Sequence, residues 1–137
     1  MMTRLSSTRS VDADFWEGRL KQARAYQKAA EDALTLANAG DNLTPAVSNM
    51  VLAAIAFGDA VTAKRRRLVN TQDHAAAPKL LRDTLGNTLP DKQEKCFRRL
   101  LQQKDPVQYG VRPVSVDFAQ QVLSDLRVFA LWVEDLV

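Results

Sequence analysis

A chain of 137 residues with 46% hydrophobic and 26% charged side chains is one domain with enough apolar material for a core, and its composition is neither that of a disordered nor that of a fibrous protein. Five Gly and five Pro argue against a turn-dense β-sandwich. The single cysteine, Cys96, excludes an internal disulfide framework and fits a reducing compartment. The net charge of +3 suits weak contact with an anion without requiring one.

The first ten residues, MMTRLSSTRS, are rich in Ser, Thr and Arg, lack periodicity and hold no apolar core of signal-peptide length. Residues 1–11 therefore read as a flexible arm, and residues 12–137 as a single helical domain. The first helix carries Trp16, Leu20, Ala23, Ala30, Leu34 and Ala37 at helical spacing, with Glu17 four before Lys21. Gly40 is its expected left-handed cap.

The second helix should start at a Thr44 cap with Pro45 in its first turn. Val47, Val51, Ala54, Ile55, Gly58 and Val61 share one face, which is rich in small residues that let a neighbouring helix come close. Lys64, Arg65, Arg66 and Arg67 end it, where cations suit the negative end of the dipole. The run Met50 to Ala56 is too short to span a bilayer, so a soluble, cytoplasmic protein without a membrane is expected.

Pro78 would be awkward inside a helix, so the third helix should begin near Ala77, leaving Asp73 and His74 in its lead-in. Leu80, Leu81 and Leu85 are its apolar stripe, and Gly86 to Pro90 a turn. The fourth helix opens with Asp91 as cap and Glu94 three later, a capping-box pattern. Pro106 should close it, with Val107 to Pro113 as loop. Ser115 caps the last helix, whose apolar face runs from Phe118 to Leu136. No strand is expected. The fold class is all-α, an up-and-down bundle of about five helices.

No Gly-rich phosphate loop, H-E-x-x-H or paired-cysteine motif is present, and one His with one Cys does not make a zinc site; no metal or cofactor is expected. Cys96 beside Phe97 reads as a buried structural thiol. Two features remain. The cations Lys64 to Arg67, with Lys104, are nucleic-acid-binding candidates or a solvated helix end. Asp59, at the edge of an apolar face, needs a partner if buried. His74 or Arg82 could supply it, and an Asp59–His74 pair would be a polar staple between the second and third helices.

Taken in order, Ile55, Ala56, Asp59 and Ala60, then Gln72, Asp73, His74, Leu80 and Leu81, then Leu100, Leu101, Lys104, Tyr109, Val114, Ser115 and Ala119 resemble bacterial members of the HEPN superfamily, from about Phe15 to Val137. The resemblance implies a HEPN-like helical bundle, often a homodimer. Many such domains are metal-independent ribonucleases of toxin–antitoxin or defence systems. Others are non-catalytic, binding nucleic acid or a nucleotidyltransferase partner.

Active members carry an Arg that holds phosphate, followed within one or two helical turns by a His that works near the 2′-oxygen. Here Lys104 and Tyr109 stand in those places. Lys is a poorer phosphate fork than Arg, and a phenol a poor base at neutral pH. Arg67 and His74 satisfy the spacing, with six residues between them, but at another place in the chain. The resemblance therefore implies a non-catalytic interaction or RNA-binding module, with a ribonuclease using His74, Arg67, Lys104 or Tyr109 as the alternative.

Overall fold

The structure, a computed structural model, describes residues 8–71 and 74–137. It is an all-α bundle. In chain order it comprises strand β1 (Thr8–Ser10), helices α1 (Phe15–Leu36) and α2 (Thr44–Arg66), strand β2 (Leu68–Asn70), a 3-10 turn (His74–Ala76), α3 (Ala77–Leu85), a second 3-10 turn (Gly86–Thr88), α4 (Asp91–Leu101), the short α5 (Lys104–Tyr109) and α6 (Val116–Leu136).

α2 is the central helix. From Ala53 to Ala63 every residue is buried, so it has no solvent face along about three turns. Its small side chains allow this by letting neighbours approach from all sides. At Gly58 the ring of Phe97 comes so close that an added Cβ would lie 2.8 Å from Cζ. That ring stacks on Phe129 with centroids 4.7 Å apart and planes within 7°, joining α2, α4 and α6 into one core. α2 is also long and apolar enough to cross a membrane by length and composition, although Met50 to Ala56 alone is not. Its most apolar window is 83% buried inside the bundle, so its apolar surface is already covered by other helices.

Polar pairs show the helix directions. The start of α1 meets the end of α2, since Arg19 reaches Asp59. It also meets the end of α6, since Arg24 pairs with Glu134 at 2.6 Å and Arg127 with Glu31 at 2.6 Å. Both neighbours of α1 are therefore antiparallel to it. The start of α2 is tied to the lead-in of α6, where Leu43 N–H donates to the Val114 carbonyl at 2.8 Å and Val114 N–H to Asn42 Oδ1 at 3.0 Å. α4 packs on α6, with Arg99 on Asp125 and the Cys96 thiol donating to the Asp125 carbonyl at 3.0 Å.

Two sequence expectations about helix ends hold. Pro78 sits in the first turn of α3, which begins at Ala77, where its missing N–H costs nothing. Ser115 caps α6, its Oγ accepting from Phe118 N–H at 3.1 Å.

Others need correction. A small sheet exists: Thr8, Arg9 and Ser10 pair antiparallel with Asn70, Val69 and Leu68. The described part of the expected arm is thus fastened to the domain, while residues 1–7 lie outside the described residues. Gly40 caps nothing, because α1 stops at Leu36 and Ala37 is already extended, φ −73° and ψ 143°. The left-handed cap is Arg67 at the end of α2, φ 52° and ψ 39°. It turns the chain into β2 and offers its carbonyl to Val11 N–H at 3.0 Å.

Thr44 is the first residue of α2 rather than its cap. Asn42 Oδ1 instead accepts from Thr44 N–H at 3.1 Å and its hydroxyl at 2.7 Å. Asp91 is likewise inside α4, whose cap position is Pro90. Pro106 does not close a helix but lies in the first turn of α5, where proline is tolerated. Residues to Tyr109 are therefore helical, and Gly110 follows because a Cβ there would collide with the Pro106 carbonyl oxygen. The expected cap Asp73 lies outside the described residues.

Candidate functional site

The site with the most chemistry is a cleft of about 470 Å³ between the lead-in to α3, the end of α4 and the start of α5. His74, Ala75 and Pro78 form one wall. Arg98, Leu101 and Gln102 form the second, and Lys104 and Asp105 close it.

Local sequence explains each wall. Pro78 forces α3 to begin where it does, which leaves His74 to Ala76 as a 3-10 turn. Only Gln102 and Gln103 separate α4 from α5, so Lys104 and Asp105 stay beside Arg98. The walls are held at fixed spacing by Arg82 of α3, which donates to both oxygens of Glu94 on α4 at 2.6 and 3.3 Å and to the Gly86 carbonyl at 3.2 Å. The Arg82 guanidinium keeps the Glu94 carboxyl below its ordinary range.

Arg98 touches Glu94 only loosely, at 3.7 Å, and its side chain is 52% exposed. It is available to an incoming anion. Lys104 adds a second cation and Asp105 opposes them, while Ala75, Pro78 and Leu101 give the cleft an apolar portion.

Of the candidates read from sequence, His74 and Lys104 are thus brought into one cleft. Tyr109 is not: it lies at the far end of α5, 75% exposed. Arg67 is exposed at the α2 cap and does not line the cleft. The four cations at the end of α2 do not act together either. All four are exposed, but Lys64 lies over the Trp16 ring at 4.4 Å and donates to the Val137 carbonyl at 2.7 Å.

The Asp59–His74 staple is replaced by a different pair. Asp59 is bound by Arg19 of α1, with Nε at 3.1 Å and Nη2 at 3.0 Å from Oδ2. Arg82, the other candidate, is committed to Glu94. Burial pushes the Asp59 carboxyl up to about 6, against the pull of Arg19 and Arg9. Burial also raises the Cys96 thiol, which keeps it a structural thiol rather than a nucleophile.

Arg19 and Arg98 carry no mark in the sequence. Both sit on exposed-looking helix positions, and only the tertiary crossing shows that one neutralises a buried carboxylate and the other opens into a cleft. Among the described residues no group of three or more His, Cys, Asp or Glu side chains converges as a metal site.

No family model matches the chain, and no curated protein matches it. The fold is similar to that in the crystal structure of TT1696 from Thermus thermophilus, with a TM-score of 0.73 at 20% identity over 90% of this chain and 99% of that chain. At that identity the likeness establishes the bundle architecture alone.

Proposed function

We propose that the chain is a non-catalytic RNA-binding module of HEPN type, working as a cytoplasmic homodimer that can join a nucleotidyltransferase-type partner. The observation that carries the RNA-binding reading is the convergence of His74, Arg98 and Lys104 from three separate elements on one cleft. Exposed Arg65, Arg66 and Arg67 offer phosphates a second set of contacts. Non-catalysis is supported by Lys104 and Tyr109 standing where the active motif has Arg and His, with Tyr109 outside the cleft.

The test is fluorescence anisotropy with labelled RNA over a salt series. Binding should weaken steeply with salt, because each neutralised phosphate releases a counterion. Arg98→Ala with Lys104→Ala should weaken it further at fixed salt and flatten the slope. Affinity that ignores salt and both substitutions would sink the proposal. Sedimentation should show a dimer.

One observation favours the ribonuclease alternative: an imidazole, His74, shares the cleft with two cations, which is chemistry suited to transfer at a 2′-oxygen. Labelled RNA incubated with the protein in EDTA should stay intact. Cleavage that His74→Ala abolishes without lowering the melting temperature would replace the non-catalytic reading.

A further inference from the structure

We propose that the outer edge of β1 receives an extended, acidic segment of a partner protein as a third strand of the small sheet. The inference concerns a different surface from the cleft and does not rest on the RNA-binding reading.

Hydrogen-bond parity is the first argument. Thr8, Arg9 and Ser10 face Asn70, Val69 and Leu68. The register continues to Val11, whose N–H donates to the Arg67 carbonyl at 3.0 Å. Bonded and non-bonded pairs alternate along an antiparallel ladder. Arg9 and Val11 therefore turn their backbone groups toward β2, and Ser10 turns its N–H and carbonyl the other way. Ser10 is exposed, and among the described residues no strand pairs with that edge. An open edge is a template for an extended chain.

Access is the second. β2 packs on α2, and its Val69 and Asn70 are buried, so the bundle occupies the β2 side and the β1 side is open to growth. The short Ser10 side chain leaves the backbone within reach. Two strands of three residues each are marginal alone, and a third strand supports both.

Charge is the third, and it selects the occupant. Arg65, Arg66 and Arg67 lead directly into β2, all three are exposed, and Arg9 is exposed at the centre of β1. The exposed carboxylates that follow β1, Asp12 and Asp14, are fewer. A strand carrying Glu or Asp is drawn to this surface and one carrying Lys is repelled.

The experiment measures anisotropy of a short labelled peptide alternating Glu and Val against the full chain. It should bind, and more weakly as salt rises. The same peptide N-methylated along one edge should bind about tenfold more weakly, because its backbone donors are blocked. A Lys-for-Glu peptide should not bind. Ser10→Pro deletes the outward N–H without touching the inner ladder, a place where proline is tolerated, so it should abolish binding at an unchanged melting temperature. Bound peptide should also slow hydrogen exchange at Ser10 N–H in the wild-type chain, a readout that holds even where the proline variant fails to fold and that charge attraction alone does not move. Equal binding of the N-methylated or the Lys peptide, or unaltered exchange at Ser10, overturns the inference. If RNA binds through Arg65 and Arg66 and the acidic peptide does not bind at all, the inference fails and the RNA-binding reading stands.

Discussion

Arg19 and Asp59 form an ion pair that crosses from α1 to the buried face of α2, and the two partners are unequally placed. The Asp59 side chain is 12% exposed and that of Arg19 is 26%. The carboxylate has therefore lost most of its water and depends on the guanidinium, whereas the guanidinium keeps part of its hydration.

This predicts a stability that falls as pH rises. Burial raises the folded-state value of Asp59 from 3.8 to about 6, so between those values the folded chain holds a proton that the unfolded chain has lost. Stability from this group is full below about pH 4 and is lost through pH 6, on the order of 3 kcal/mol. Asp59→Asn keeps the neutral form at every pH. Its urea midpoint relative to wild type should climb from pH 4.5 to 6.5 and level off above. A flat difference would show that Arg19 holds the carboxylate ionised throughout. The comparison cancels His74, which is present in both proteins.

Gly58→Ala should destabilise the fold even though Ala favours helix. The added methyl meets Phe97 Cζ at 2.8 Å, and Phe97 cannot retreat because Phe129 lies stacked behind it. Overpacking of this kind costs about 1–3 kcal/mol, against about 1 kcal/mol gained in helix propensity. Adding Phe97→Leu should recover part of the loss, so the two changes should be non-additive in thermal melts.

The cations at the end of α2 should separate by role. Lys64→Met removes the contact with the Trp16 ring and the hydrogen bond to the Val137 carbonyl, at about 1 kcal/mol. Arg65→Ala with Arg66→Ala should leave the melting temperature unchanged and weaken RNA binding. If Lys64→Met lowers RNA affinity alone, the assignment is reversed.

Ser115→Ala should cost about 1 kcal/mol, since it removes the acceptor for Phe118 N–H. A urea midpoint that does not move would mean that water replaces the cap without penalty.

Local chemistry was legible from the sequence, and crossings were not. Pro78 announced where α3 begins and Ser115 where α6 begins, because both act within a few residues of themselves. The apolar stripes announced the bundle. Asp59 announced that it needed a partner, but α1 supplies it through Arg19, forty residues away in sequence, and no spacing rule reaches that far. Proximity in sequence made His74 attractive instead. Pro106 misled because proline both stops a helix and suits a first turn, and only the pairing of Gly110 N–H with the Pro106 carbonyl shows which applies. The strand at Thr8–Ser10 had no periodicity of its own, since three residues gain their structure wholly from β2. The cleft was half legible: His74 and Lys104 drew notice as chemistry, while Arg98 looked like an ordinary surface cation.

The enclosed middle of α2 has a consequence for synthesis of the chain. Residues 53–63 are covered on every side in the finished protein, but part of that cover comes from α4 and α6, which leave the ribosome after it. Until Phe97 and Phe129 arrive, the α1–α2 hairpin presents an apolar strip as hydrophobic as a membrane segment. Nascent chains stalled before residue 116 should therefore be the aggregation-prone species and the natural clients of chaperones.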